Sequence, residues 1–263
     1  LKGNMFNDYG SGCLLIWGLY PSHKVFLDGR NTIYGVKFIK ENYIRYLIFP
    51  PPFEKLVKKY DINYVFLYYG MSGTGEFVPY LYHSKDWVLV FFDDKVCIFA
   101  KNADKNADII KRYRVDLTKR RGVVRLNRYG WQSVYPRDYI NRAAFYERVG
   151  LPDMAIQTLK DVLMIAPDIR DVHYNLGTLY LEKGMYQNAI KEFKEAINID
   201  NKDIAAYNNL GVTYARLGRY KDAIKQYRKA LWVEPLYVEA MRNIRIAKKD
   251  YENQKFLYKN AGM

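Results

Sequence analysis

The spacing of apolar and polar positions changes character once along this chain, near residue 135, and the two regimes predict different architectures. Up to about residue 100, short β-type apolar runs alternate with helical segments and turn signals. Lys24 to Leu27 reads as a buried strand, Ile33 to Ile48 as a helix stopped by Pro50-Pro51-Pro52, and Phe53 to Tyr60 as a second helix. Tyr64 to Tyr68 reads as a strand, and Trp87 to Phe92, the turn Asp93-Asp94-Lys95 and Val96 to Ala100 form a hairpin, because a short Asp-rich turn joins two β-rich runs. Strands alternating with helices predict an α/β fold over residues 1–110, a mixed-sheet, Rossmann-like sandwich large enough for its own core.

Beyond residue 136 the apolar spacing is helical and repeats. Asn175-Leu176-Gly177 with Tyr180 recurs 34 residues later as Asn209-Leu210-Gly211 with Tyr214, followed in each copy by Ala189 or Ala223, Phe193 or Tyr227, and Ala196 or Ala230. Small residues sit where two helices touch, and large ones fill the space between helix pairs. This register resembles the tetratricopeptide repeat (TPR), with copies at 136–169, 170–203 and 204–237 whose closing positions are Pro167, Asn201 and Pro235. The first copy departs most, carrying Arg142-Ala143 where the others have Leu-Gly, while Tyr146, Gly150, Ala155 and Pro167 keep the register. From residue 239 to 258, Ala240, Ile244, Ala247 and Tyr251 fall at helical spacing among polar residues, as a helix covering the last apolar face of an all-α solenoid requires.

Stacked helix pairs usually present a surface that holds a peptide or another protein. The first helices of the pairs offer Tyr139, His173, Asn175, Tyr207, Asn208, Asn209 and Arg242. Asparagine amides suit a peptide backbone, and they equally suit hydrogen bonds from one repeat to the next.

Charge adds a second feature. The chain has 42 Lys and Arg against 28 Asp and Glu, a net charge of +14. The excess is sharpest in the connector 111–135, where Lys111, Arg112, Arg114, Lys119, Arg120, Arg121, Arg125 and Arg128 face one acid, Asp116. Such a segment can be a solvated linker, lie on anionic lipid head groups at about 1 kcal/mol per basic residue, or hold a phosphate-bearing glycolipid. Tyr113, Tyr129 and Trp131 interleave with the charges, a combination that nucleic-acid binders use, but no recognised nucleic-acid motif accompanies it.

Catalytic and cofactor chemistry finds little support. Asp93 and Asp94 occupy a turn, where Asp serves local hydrogen bonding, and the three histidines are not at metal-ligand spacing. No metal, no cofactor and no catalytic residue is therefore assigned. The Gly-rich segment containing Ser72, Gly73 and Thr74 follows a strand and could cradle a phosphate, yet it lacks the lysine of a P-loop. Asp28-Gly29-Arg30 could grip a ligand at a strand end or form an internal ion pair. Cys13 and Cys97 are the only thiols, and their separation in space cannot be read from spacing.

The opening residues carry another likeness. Phe6-Asn7-Asp8-Tyr9, Gly12, Leu15-Ile16-Trp17, Pro21, Val25 to Arg30 and Tyr34 resemble the C-terminal soluble domain of multi-spanning membrane proteins of the protein mannosyltransferase and lipid-linked sugar transferase type, some of which carry TPR repeats after it. The likeness covers roughly residues 4–100, with Gly12-Cys13 where that family has Gly-Gly. It implies that sugar transfer would occur in a membrane part outside this sequence, and that this piece would lie on the extracytoplasmic side. No run of eighteen apolar residues is present and the chain begins Leu1-Lys2-Gly3, without initiator methionine or signal pattern, as expected of a soluble piece of such a protein. The expectation from sequence is thus a non-catalytic extracytoplasmic tail of a glycosyltransferase-like membrane protein that binds a protein partner through its repeats. The alternatives are a ligand-binding or catalytic α/β domain using Asp8, Asp28 and Arg30, and a free-standing assembly scaffold.

Overall fold

A computed structural model describes residues 4–7, 53–68, 76–93, 95–119 and 136–260. The chain divides into two compact units, Leu1–Thr158 and Leu159–Met263.

In the first unit the elements are β1 (Asn4–Asn7), α1 (Phe53–Tyr60), β2 (Ile62–Tyr68), α2 (Phe77–His83), β3 (Trp87–Phe92), β4 (Val96–Lys101), a 3-10 turn at Asp104–Asn106 and α3 (Ala107–Tyr113), followed by α4 (Pro136–Arg148) and most of α5 (Pro152–Leu163). The described strands form one mixed sheet in the order β1-β2-β4-β3. β1 runs parallel to β2, and β4 pairs antiparallel with both β2 and β3. The helix at Phe53–Tyr60, the strand after it and the hairpin lie where the apolar spacing puts them. The predicted strand at 24–27 and helix at 33–48 lie outside the described residues.

Alternation along the strands sends their side chains to two faces. On one face Phe6 meets Phe53 of α1 and Phe77 of α2, with ring centroids 5.1 and 5.7 Å apart. Phe53 and Phe77 lie edge to face at 4.8 Å, and Trp87 is 5.9 Å from Phe53. Edge-to-face pairing adds to area burial because the positive rim of one ring meets the negative face of the other. On the opposite face Met5, Tyr64, Val90 and Ala100 form a cluster against which Ile109 and Ile110 of α3 pack. The Tyr64 hydroxyl donates to Asn106 Oδ1 at 2.7 Å, and Asn106 Nδ2 donates to the Lys101 carbonyl at 2.8 Å, so the polar groups at that face's edge are satisfied. The hairpin turn has its own lock: Asp93 Oδ1 accepts from the backbone N–H of Lys95 and of Val96, both at 2.8 Å.

Within the same unit, α4 packs on the end of the hairpin. Phe92 lies 4.6 Å from Phe145 and 5.6 Å from Tyr146, and all three are buried.

The second unit continues from the end of α5 through α6 (Arg170–Glu182), α7 (Tyr186–Ile199), α8 (Ile204–Arg216), α9 (Tyr220–Val233) and α10 (Val238–Asn260). The first helices of successive pairs begin at 136, 170, 204 and 238, so the 34-residue period of the sequence is the period of the helices. Each pair turns at a glycine in the left-handed region, Gly150 at φ 76°, Gly184 at 71° and Gly218 at 70°, which other residues adopt only at a cost. Asp203 caps α8, accepting from the Ala206 N–H at 2.8 Å, while its other oxygen lies 3.3 Å from Arg170. The helix α10 ends the pattern chemically. It buries Ala240 and Ala247 but places Arg245 and Lys248, both exposed, at the positions of Gly177 or Gly211 and Tyr180 or Tyr214. A second helix could not close on it as α7 and α9 close on their partners, so the long helix covers the array as its polar face requires.

Two tyrosines report on these cores. Burial pushes the Tyr227 phenol up to about 12. Tyr80 is also pushed up to about 12, by burial first and then by the charge of Glu54, to which its hydroxyl donates at 3.3 Å. Each keeps its proton in the fold at a pH where the unfolded chain would lose it, near 10. Their contribution to stability is therefore intact below about pH 10 and is lost as pH rises through about 12. An alkaline titration followed by phenolate absorbance is expected to show a delayed class among the 26 tyrosines, with Tyr227→Phe removing one member. Ionisation of the whole set in a single step near pH 10 would contradict it.

Candidate protein-interaction site

Because α6, α8 and α10 begin at a constant spacing, residues at the same place in each helix stack across the second unit. The fifth residues are Tyr174, Asn208 and Arg242, and the sixth are Asn175, Asn209 and Asn243. One hydrogen bond recurs between neighbours. Asn209 Nδ2 donates to the Tyr174 hydroxyl at 3.1 Å, and 34 residues on Asn243 Nδ2 donates to Asn208 Oδ1 at 3.0 Å. A longer contact, Asn208 Nδ2 to Asn209 Oδ1 at 3.4 Å, joins the two. A polar relay thus crosses three helices and fixes the direction in which each amide points. Asn175 at its edge is half-buried, and its amide has no hydrogen-bond partner among the described residues.

The fourth residues of the first helices serve a different purpose. Tyr139 and Tyr207 are each 9% exposed. The ammonium of Lys229 in α9 lies over the Tyr207 ring at 5.4 Å, and Arg142 lies over Tyr139 at 5.2 Å. His173 has Nδ1 2.8 Å from Glu192 Oε2 on α7 and Nε2 2.8 Å from the Pro167 carbonyl. Its two nitrogens are engaged within the repeat. The geometry accordingly separates the sequence-derived set: Asn175 and Asn209 are half-buried and Arg242 is exposed, so these three keep accessible surface, whereas Asn208, Tyr139 and Tyr207 are buried and His173 is engaged by Glu192 and the Pro167 carbonyl. Tyr174 and Asn243 complete the relay and were not singled out from sequence. The period itself contained the signal, since Asn141, Asn175, Asn209 and Asn243 form an unbroken 34-residue series.

In the first unit, Lys111, Arg112 and Arg114 are exposed on and just after α3, and Arg112 covers Tyr113 at 5.3 Å. Lys119 lies 3.7 Å from Asp116. Arg120, Arg121, Arg125 and Arg128 lie outside the described residues, as do Asp8, Asp28, Arg30, Ser72, Gly73, Thr74 and Cys13. Cys97 is buried in β4. Among the described residues no group of three His, Cys, Asp or Glu is placed to hold a metal, and no helix is long and apolar enough to cross a membrane.

Comparison with known proteins bears on the second unit. Family models described as TPR repeat and as tetratricopeptide repeat match residues 177–218 and 204–236. No curated protein sequence matches the chain. Solved structures similar to it include the MamA protein, 24% identical over 48% of this chain and 70% of that one with a TM-score of 0.42. The TPR domain of Arabidopsis OM64 is 22% identical over 42% of this chain and 92% of that one, with a TM-score of 0.41. The second TPR domain of human RPAP3, solved with an HSP70 peptide, is 21% identical over the same shares, also at 0.41. Residues 177–236 of this chain are tetratricopeptide repeats.

Proposed function

We propose that the chain is a non-catalytic protein-interaction module whose second unit holds an extended segment of a partner across α6, α8 and α10. The observation that carries the reading is the relay Tyr174–Asn209–Asn208–Asn243, with Asn175, whose amide has no hydrogen-bond partner among the described residues, next to Tyr174 in α6. Amides held in one orientation by neighbours lose little freedom when they meet a peptide backbone, so each hydrogen bond they form contributes close to its full net value, roughly 0.5–1.5 kcal/mol. Arg242, exposed at the end of the series, would select an acidic or carboxylate group in the bound segment.

Selection of peptides from a displayed library on the whole chain, followed by calorimetry, tests this. Asn175→Ala with Asn209→Ala is expected to weaken the selected peptides about tenfold, or ~1.4 kcal/mol, at an unchanged helical content. Affinity indifferent to the pair would remove this face from the account. Tyr207→Ala is a poor probe because that ring is buried against α9 and its loss would disturb the fold.

The finer reading places this module as the extracytoplasmic tail of a glycosyltransferase-like membrane protein, with residues 1–110 as a Rossmann-like sandwich. Its support is the sequence likeness over residues 4–100 and, for the sandwich, the parallel β1–β2 pair with helices on both sheet faces. Reporter fusions at residue 263 of the full gene product test the sidedness: activity of a reporter that works only inside the cell would exclude it.

A further inference from the structure

A cavity of about 680 Å³ lies in the first unit between the end of α2, the outer edge of β3 and the segment that follows α3. Backbone contacts hold its walls. The Val115 N–H donates to the Leu89 carbonyl at 2.8 Å, which keeps residues 114–116 beside the edge strand. The Asn102 N–H donates to the Asp86 carbonyl at 2.7 Å, and Asn102 Nδ2 donates to the Lys85 carbonyl at 3.0 Å, tying the turn before β3 to the end of β4. The volume is within the range of small-molecule sites, roughly 300–1,000 Å³.

Its charge is unbalanced in a specific way. Of the lining residues, Asp116 is already engaged: it accepts from the Thr118 N–H at 3.0 Å and the Thr118 hydroxyl at 2.6 Å, and it lies 3.7 Å from Lys119. The Thr118 bonds hold its carboxyl below the usual range, so it remains an anion matched by Lys119. Lys85 and Arg114 also line the cavity, and among the described residues neither has a carboxylate within 4.0 Å. Among the described residues two cations thus stand unopposed in a concave site, where charge of one sign concentrates counter-ions. Tyr82, whose phenol is pushed up by burial first and then by Asp116, keeps its proton as a further donor. Val88 and Ile110, both half-buried, offer apolar surface in the wall.

A ligand must then bring acceptors and close to two negative charges. A phosphate monoester carries about −1.5 to −2 at neutral pH and three acceptor oxygens, and the guanidinium fork matches it in two-point contact. We propose that this cavity binds a phosphate monoester carried on a small hydroxylated skeleton, with Arg114 and Lys85 on the phosphate and Asn102 and Ser84 facing the hydroxyls. All its lining residues belong to the first unit.

The test uses the full chain and three probes: glucose 6-phosphate, glucose, and phosphatidylcholine vesicles with and without phosphatidic acid. Glucose 6-phosphate is expected to shift the backbone amides of residues 84–88 and 114–119, and glucose is not. Arg114→Ala, at an exposed side chain, is expected to weaken binding about tenfold (~1.4 kcal/mol), with Lys85→Ala as an independent second variant. Cosedimentation with phosphatidic acid vesicles that the same variants abolish would identify a lipid head group as the source of the ester. Binding of the soluble ester alone would identify a free metabolite. No response to either probe, an equal response to glucose, or affinity untouched by both variants would overturn the proposal.

Discussion

Phe92→Ala is expected to destabilise the first unit by about 3–5 kcal/mol, the usual cost of removing a buried aromatic ring, and to release α4 from the sheet. Phe92 ends β3, is 5% exposed, and holds Phe145 and Tyr146 at 4.6 and 5.6 Å. Lys95 of the hairpin also pairs with Asp138 of α4 at 3.6 Å. The lysine is more than half exposed, and such surface pairs contribute about 0–1 kcal/mol. The neighbouring Phe91 is 43% exposed, so Phe91→Ala provides the control and should cost far less. Urea unfolding gives the stability loss, and amide exchange gives its location. The expected pattern is early exchange of residues 139–149 in Phe92→Ala with β2 and β4 still protected. Equal losses in the two variants would show that the Phe92 contacts do not carry this packing.

Gly211→Ala is the second large effect, and here the sign has to be argued. Alanine in place of glycine within a helix gains about 1 kcal/mol of propensity. A Cβ at residue 211 would, however, stand 2.5 Å from Tyr227 Cε1 and 2.6 Å from its Cδ1, and one at Gly177 would stand 2.7 Å from two ring atoms of Phe193. Both rings are buried, at 2% and 0% exposure, so they cannot swing aside, and overpacking costs about 1–3 kcal/mol. The clash is expected to win, leaving a net loss of up to about 2 kcal/mol. The first copy of the repeat supplies the compensation in its own sequence: it has Ala143 and Leu159 at the equivalent places. Gly211→Ala combined with Tyr227→Leu should therefore be more stable than the sum of the two single changes, a favourable coupling that a double-mutant cycle measures. Strict additivity would mean that ring and glycine do not constrain each other.

The same pairs show how much of this protein can be read before it folds. The period, the glycine turns and the helix at Phe53–Tyr60 are local properties: apolar spacing, left-handed glycines and cap residues act over a few positions, so the bare chain displays them. The hairpin at Trp87–Lys101 was legible for the same reason, since Asp93 closes its turn through bonds two and three residues away. The interaction face was legible only in part. Asn175 and Asn209 are marked by the repeat, but the spacing does not say that His173 and Tyr207 turn toward Glu192 and Lys229 instead. A single step along a helix rotates a side chain by about 100°, enough to move it from the shared face to the buried seam.

By itself, then, the sequence determined where helices begin and end, their 34-residue register, the polar character of the last helix and the basic excess before the repeats. Each of these depends on neighbours close in the chain. Tertiary structure alone decided that β1 pairs with β2 across more than fifty intervening residues, that Phe92 receives α4, which amide bonds to which across the repeats, and that Lys85 and Arg114 meet in one cavity. Those are contacts between distant segments, selected by the joint burial of apolar faces and the satisfaction of polar groups, and no local pattern encodes them.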